Sequence, residues 1–233
     1  MKIKGFQKLT LIDYPGKIAC TLFLYGCNFK CGFCHNPELV LKPSLESYSE
    51  EDILNFLEKR KKYLDGVCFT GGEPLMDLNI NFVKKLKAMN YLIKIDTNGS
   101  FPERLLELIN EDLVDYVAMD VKSSKEKYDK LTNSEVNFSS IEESIKLISG
   151  LPEYEFRTTI IERYHTIEDI RKMFNWLNLV TGKKIKRFAL QGFKNQEKLI
   201  DESLSEEKNT SEEYLLKLKK IAEEYCDEVV IRV

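Results

Sequence analysis

The apolar and polar positions of this chain switch between a period of two and a period of about three and a half for nearly its whole length. Residues 2–16 alternate loosely and close on Asp13-Tyr14-Pro15-Gly16, a turn signal, so a short N-terminal strand or hairpin is expected there. Residues 18–25 are mostly apolar on both faces and stop at Gly26, as a strand in a buried parallel sheet would. After a polar connection, Ser49 stands where a helix cap would, ahead of Ile53, Leu54, Phe56, Leu57 and Leu64. The rhythm then repeats. Strands are expected at 67–70, 92–95, 116–121, 155–161, 186–191 and 229–233. Between them, Phe82, Val83, Leu86 and Met89 predict a helix ended by Asn90, and Pro102 opens another with Leu105, Leu106 and Ile109 inward. A helix through Ile141, Ile145 and Ile148 stops at Gly150. Thr166 caps one carrying Ile167, Ile170, Met173, Phe174 and Leu177, and the last carries Leu215, Leu218, Ala222 and Tyr225.

Strands alternating with helices imply parallel β/α units joined by right-handed crossovers. Six units are too few to close an eight-stranded barrel. The expected fold is α/β: an open partial (β/α)6 barrel with parallel strands, or failing that a doubly wound sheet. A short N-terminal hairpin (about 1–16) precedes the core (about 17–193), and a C-terminal helix–strand extension (about 194–233) follows it. No Pro/Gly/Ser-rich linker and no internal repeat interrupts the chain, so a single domain over 1–233 is the simpler expectation.

Composition narrows the setting. Hydrophobic content of 43% and charged content of 31% are those of an ordinary soluble protein. With 35 basic against 38 acidic residues, the formal charge of −3 gives no general attraction to nucleic acid or anionic membranes. No apolar run is long enough to span a bilayer, and Met1-Lys-Ile-Lys-Gly5 lacks the apolar segment of a signal peptide. A cytoplasmic location is expected, where cysteines stay reduced. A tight cysteine cluster there reads as metal-binding or catalytic before it reads as disulfides.

Such a cluster is present. Three of the six cysteines fall in Cys27-Asn-Phe-Lys-Cys31-Gly-Phe-Cys34. Three thiolates on one short loop call for a metal centre. Cys31 and Cys34 alone could be a thioredoxin-type redox pair, and Cys27, Cys31, Cys34 and His35 could form a zinc site, although adjacent ligands are geometrically awkward. Three thiolates are also one short of the four that usually hold an iron–sulfur cubane, which leaves the fourth iron open to a ligand. Cys20, Cys68 and Cys226 lie among apolar residues and read as ordinary buried thiols.

Other chemistry gathers at the predicted carboxyl ends of strands, where parallel β/α folds meet their ligands. These ends carry Thr70-Gly71-Gly72-Glu73-Pro74, Asp96-Thr97-Asn98-Gly99, Asp120-Val121-Lys122, Arg157 and Gln191-Gly192, a polar rim suited to a charged ligand. Gly71-Gly72 lets a backbone approach closely, so beside an open iron it could pair with the amino and carboxylate groups of an amino-acid-like ligand. His35 reads as a packing or supporting residue, and His165, at a helix start, is expected to be solvated. The basic run Lys183-Lys-Ile-Lys-Arg187 reads as a solvated strand entry rather than a nucleic-acid contact, and the acidic residues of 197–213 as a solvated connection.

The cysteine spacing after the first core strand and Gly71-Gly72-Glu73-Pro74 after the second resemble radical S-adenosylmethionine enzymes, over essentially the whole chain. Cys34-His35-Asn36-Pro37, Asp96-Thr97-Asn98-Gly99 and Met119-Asp120-Val121-Lys122 resemble the activating enzymes of glycyl radical enzymes. The opening Lys4-Gly-Phe-Gln-Lys-Leu-Thr-Leu-Ile-Asp-Tyr-Pro-Gly-Lys17 resembles activators of the anaerobic ribonucleoside-triphosphate reductase. The resemblance implies that Cys27, Cys31 and Cys34 hold a [4Fe–4S] cluster whose fourth iron is chelated by the methionine of S-adenosylmethionine. It implies that Gly71, Gly72 and Glu73 meet the amino group, that Asp96, Thr97, Asn98, Asp120, Lys122 and Arg157 line the methionine and ribose, and that Lys122 acts in catalysis. Asp96 with Asp120 would hold a monovalent cation. The implied reaction is one-electron cleavage to methionine and a 5′-deoxyadenosyl radical, which takes a hydrogen atom from a glycine of a glycyl radical enzyme, with flavodoxin or ferredoxin as electron donor. Two features depart from the family. Its Gly-x-Ile-x-Gly-x-x-Glu element is not legible on the fifth core strand, and residues 35–67 hold no cysteine, so a single cluster is expected. The rival readings are a radical enzyme acting on a small molecule or RNA, and a non-catalytic iron–sulfur or zinc protein.

Overall fold

The computed structural model describes residues 1–42, 46–196 and 198–233; Glu197, at the head of the acidic connection, lies outside the described residues. Among the described residues eight strands are formed: β1 (Ile3–Thr10), β2 (Ala19–Leu24), β3 (Gly66–Gly71), β4 (Leu92–Thr97), β5 (Tyr116–Asp120), β6 (Tyr154–Ile160), β7 (Ile185–Gly192) and β8 (Cys226–Arg232). Their order in the sheet is their order in the chain, from β1 to β8, so the sheet has two ends and is an open α/β array, not a closed barrel. β1 runs antiparallel to β2. The pairs β2–β3, β3–β4, β6–β7 and β7–β8 are parallel. The N-terminal hairpin is thus made by β1 with the first core strand, and β8 is the expected C-terminal addition.

Between the strands lie α1 (Pro37–Leu41), α2 (Glu50–Glu58), α3 (Ile80–Ala88), α4 (Pro102–Asn110), α5 (Lys125–Thr132), α6 (Phe138–Ser149), α7 (Ile167–Thr181) and α8 (Glu212–Ala222). Their ends follow local chemistry. The Ser49 side chain accepts from the Asp52 amide, and Thr166 with Asp169 forms a reciprocal capping box; each such cap contributes about 1 kcal/mol. Asn90 adopts φ 65° just beyond α3, where it closes the turn into β4. Two helices were not expected. α1 is barely more than one turn, and α5 buries only Tyr128, Leu131 and Thr132, too few apolar positions to give a periodic signal. In α4 the inward pair is Leu105 and Leu108, whereas Leu106 is exposed, because an i, i+3 pair and not i, i+1 shares a helix face.

The chain divides into two compact units, Met1–Asn28 with Asn36–Thr97 and Glu103–Val117, and Phe29–His35 with Asn98–Pro102 and Ala118–Val233. In the first, Ile53, Leu57, Phe82, Val83, Leu86, Leu105 and Leu108 of the helices and Cys20, Leu22, Val67, Phe69, Ile93 and Ile95 of the sheet are all buried, and the Phe69 and Phe82 rings meet edge to face at 6.3 Å. Burying each large side chain contributes about 1.5–3 kcal/mol. Strand alternation then leaves Cys68 and Thr70 of β3, and Lys94 and Asp96 of β4, on the opposite face. In the second unit Phe156, Phe188, Ile145, Phe174, Leu177 and Leu218 form the core, and the Phe174 and Phe188 rings meet edge to face at 4.7 Å. Buried Glu155 on the other face of β6 receives both guanidinium arms of Arg232, at 2.9 and 2.7 Å. Among the described residues no helix is long and apolar enough to cross a membrane.

Candidate functional site

In the first unit the site begins where β3 ends. Gly71 has φ +113°, a region that side chains disfavour. The amide of Gly72 donates to the Leu24 carbonyl at 2.9 Å, and that of Glu73 to the Gly26 carbonyl at 2.8 Å. A β-carbon on Gly72 would stand 1.9 Å from the Gly26 oxygen, so only glycine fits. Gly26 directly precedes Cys27, and the Gly71–Glu73 strip is therefore laid against the start of the cysteine loop. Glu73 is buried. One of its carboxylate oxygens accepts from the Leu75 amide at 3.1 Å and from the Thr97 hydroxyl at 2.9 Å, which ties the strip to the end of β4. There the Thr70 hydroxyl donates to Asp96 Oδ2 at 3.0 Å, and the Lys94 ammonium pairs with Asp96 Oδ1.

In the second unit, residues 29–35 of the cysteine loop are held by two neighbouring segments. The Lys30 amide donates to the Thr132 carbonyl at 2.9 Å, and Phe29 meets Tyr128 edge to face at 6.5 Å, so α5 holds the approach to Cys31. The Ile200 and Asp201 amides both donate to the Gly32 carbonyl at 3.1 Å, which anchors the C-terminal connection on the loop. The Cys34 amide donates to the Cys31 carbonyl at 3.0 Å. Cys31 is buried, and Cys27 and Cys34 are half-buried. Burial pushes the Cys31 thiol up to about 11, against the pull of Lys122.

Asp120 at the end of β5 is clamped by two cations. Arg157 Nε donates to its Oδ1 at 2.6 Å and Lys122 Nζ to its Oδ2 at 3.1 Å. Partial burial opposes the charge, but the two cations outweigh it and hold the carboxyl well below the usual range. The same carboxylate outweighs burial at Lys122 and raises its ammonium. Arg157, in the middle of β6 and not at its end, and Lys122, just beyond β5, are therefore both paired with Asp120 and are not free surface charges. Asn98 is buried, and its amide oxygen accepts from Ser100 N at 2.9 Å, shaping its own turn. Gly99 that follows has no room for a side chain, since a β-carbon would lie 2.2 Å from Met119 Cε.

His165 corrects the sequence expectation. It is fully buried, not solvated. The Ile161 amide donates to its Nδ1 at 3.0 Å, which puts the ring proton on Nε2, 2.9 Å from the Lys122 carbonyl oxygen. Burial lowers its pKa, so the ring is neutral. Sequence reading also passed over Lys94; the available signal was its place two residues before Asp96 on one strand face. His35 is exposed at the end of the cysteine loop.

The donor set can be tested against the groups that the resemblance implies. Among the described residues no three His, Cys, Asp or Glu side chains converge as ligands of one metal ion would. A cubane does not ask for that, because each thiolate binds a different iron, and three soft thiolates on one loop suit it. The strip at Gly26 suits an amino-acid group presented beside Cys27. A monovalent cation fits poorly, because the charge of Asp96 is already matched by the Lys94 ammonium, and that of Asp120 by Arg157 and Lys122.

The radical SAM superfamily model matches residues 21–177, and this chain belongs to that superfamily. Within it the chain is one of the glycyl-radical enzyme activating enzymes. A Methanocaldococcus jannaschii protein provisionally named as such an enzyme is 34% identical over 99% of this chain and 95% of its own length. A pyruvate formate-lyase-activating enzyme of Clostridium pasteurianum is 31% identical over 52% of this chain and 52% of its own. Among solved structures, QueE from Escherichia coli aligns with 100% of this chain and 93% of its own at a TM-score of 0.60 and 16% identity, a likeness of fold.

Proposed function

We propose that this chain reductively cleaves S-adenosylmethionine and installs a glycyl radical on a partner enzyme, the anaerobic ribonucleoside-triphosphate reductase. The observation that carries the reading is the docking of Gly71–Glu73 on Gly26, which sets the bare backbone of Gly71-Gly72 beside the first cysteine of the loop. Cys27, Cys31 and Cys34 would hold one [4Fe–4S] cluster. Gly71, Gly72 and Glu73 would receive the amino group of S-adenosylmethionine, and Asp96, Thr97, Asn98, Asp120, Lys122 and Arg157 are the residues proposed to contact its methionine and ribose. When bound, the cluster supplies one electron from a donor such as flavodoxin or ferredoxin, and the sulfonium splits into methionine and a 5′-deoxyadenosyl radical. The chemistry so supplied would end in transfer of the Cα hydrogen atom of a partner glycine to the 5′ carbon, giving 5′-deoxyadenosine and a backbone radical.

The chain's own residues bind and orient. The Asp120–Arg157–Lys122 cluster holds its charges fixed before the ligand arrives, so little reorganisation accompanies binding. The whole chain acts as one radical SAM domain in the cytoplasm. Support for the domain extent comes from the relative aligned over 99% of it. Support for the reductase as partner comes from the opening segment 4–17.

The test mixes anaerobically reconstituted protein, reductant and S-adenosylmethionine with the reductase and looks for a glycyl doublet by electron paramagnetic resonance. Appearance of the doublet with release of 5′-deoxyadenosine is the expected result. Release of 5′-deoxyadenosine without a doublet, together with alteration of a small molecule or tRNA, would overturn the substrate assignment.

A further inference from the structure

Lys94 is 2% exposed, in the middle of β4. A lysine is seldom so buried unless its charge is matched, because an unpaired ammonium in a protein interior is strongly unfavourable. Here the match is specific. The ammonium pairs with Asp96 Oδ1 and lies 5.9 Å from the centre of the Tyr116 ring. The other Asp96 oxygen accepts from Thr70. Cys68, opposite Lys94 in register, is kept as a neutral thiol by burial in spite of that ammonium. Asp13 is engaged separately, accepting from the Thr21 hydroxyl at 2.5 Å. The charge at Asp96 is therefore balanced from within the sheet.

Asp96 is also joined to the Gly71–Glu73 strip. Thr70 precedes the strip and donates to Asp96, and Thr97 follows Asp96 and donates to Glu73. A metal ion placed on either oxygen of Asp96 would stand close to the ammonium's like charge, which is costly at low local dielectric. We propose that Lys94 is a positioning residue that supplies the positive charge at Asp96 internally, so that S-adenosylmethionine binds here without a monovalent metal ion. The proposal rests on the reading of Asp96 and the Gly71–Glu73 strip as S-adenosylmethionine contacts. Lys94 acts through Asp96: it fixes the carboxylate's orientation and leaves its remaining lone pairs to meet ligand hydroxyls.

The experiment measures equilibrium binding of S-adenosylmethionine to the iron-reconstituted protein by calorimetry. One series uses tetramethylammonium as the only monovalent cation, and parallel series add sodium or potassium. The wild-type dissociation constant should stay within about twofold throughout. Lys94→Met should bind roughly tenfold more weakly in tetramethylammonium, the scale of one charge-assisted hydrogen bond, and recover in potassium. The double variant Lys94→Met with Asp96→Asn has no charge left to balance and should show no potassium effect. Wild-type binding that requires sodium or potassium overturns the proposal, and that measurement needs no variant to fold. Lys94→Met binding that is equally strong, or equally weak, in every salt at full iron content overturns it as well. Absence of binding by the wild type in any salt removes the reading of the site itself, and the proposal with it; ion-dependent wild-type binding removes only the proposal.

Discussion

The α-carbon of Gly72 sits so close to Gly26 that a β-carbon there would lie 1.9 Å from the Gly26 carbonyl oxygen. That contact joins the end of β3 to the residue before Cys27. The obstacle is backbone and cannot rotate away. Gly72→Ala is expected to lose about 1–3 kcal/mol of stability by overpacking. It should also weaken S-adenosylmethionine binding at least about tenfold. Iron content should stay at the wild-type level. Calorimetry with iron analysis checks this, and an alanine variant that binds normally would show the junction to be tolerant.

The three loop cysteines are expected to act as a set. Anaerobically purified protein should carry about four irons per chain, and Cys27→Ala, Cys31→Ala or Cys34→Ala should each remove them. One zinc per chain, with no iron taken up on reconstitution, is the outcome that would sink the cluster assignment.

Thiol accessibility gives an independent check. Burial pushes Cys20 and Cys226 up to about 12, so at pH 8 both should resist alkylation in the native, iron-free protein. Half-buried Cys27 and Cys34 should label first, and buried Cys31 after them. Mass spectrometry of timed iodoacetamide reactions reads the order directly. Early labelling of Cys20 would contradict the packing of the first unit.

Asp120 carries two cations, and removing it leaves both without their shared partner. Asp120→Asn is expected to lower stability by about 2 kcal/mol at pH 7. Because the folded carboxyl lies well below its unfolded value, its contribution is present above about pH 3.9 and is lost as pH falls through the folded value. Urea unfolding followed from pH 5 downward should show a loss of stability in the wild type that is reduced in the variant. Parallel curves would mean that other carboxylates carry the acid sensitivity.

His165 is expected to act in the same direction but in a higher pH window. Its folded pKa lies below the ordinary value, so between that folded value and about 6.5 the unfolded chain binds more protons than the folded one. Stability therefore rises with pH across that window, and falls as pH drops below about 6.5. His165→Gln should flatten this part of the profile. Because Lys122 is held through its carbonyl by His165, the variant should also weaken S-adenosylmethionine binding. Unfolding at pH 5 and 7 together with a binding isotherm separates the two effects.

Much of this protein was legible without coordinates, because the readable features are local. The switch between periods of two and about three and a half set the order of strands and helices, and the ends of β2, β3, β4 and β5 fell where the polar motifs do. The Cys27, Cys31, Cys34 spacing and the paired glycines are contiguous, so they carried their chemistry in plain order. α5 stayed hidden because its few buried residues make no stripe.

What tertiary structure alone decided is the state of the charged groups. Strand alternation puts Lys94 and Asp96 on one face, but it cannot say that this face is closed to water, so nothing in the sequence singled that lysine out. Asp120 and Arg157 are 37 positions apart, and His165 is 43 from the Lys122 carbonyl that it holds. Such pairings depend on which parallel strands and loops become neighbours, and on how much water remains between them. A polar side chain's charge and partner follow from that neighbourhood, whereas a helix or strand follows from the residues beside it in the chain.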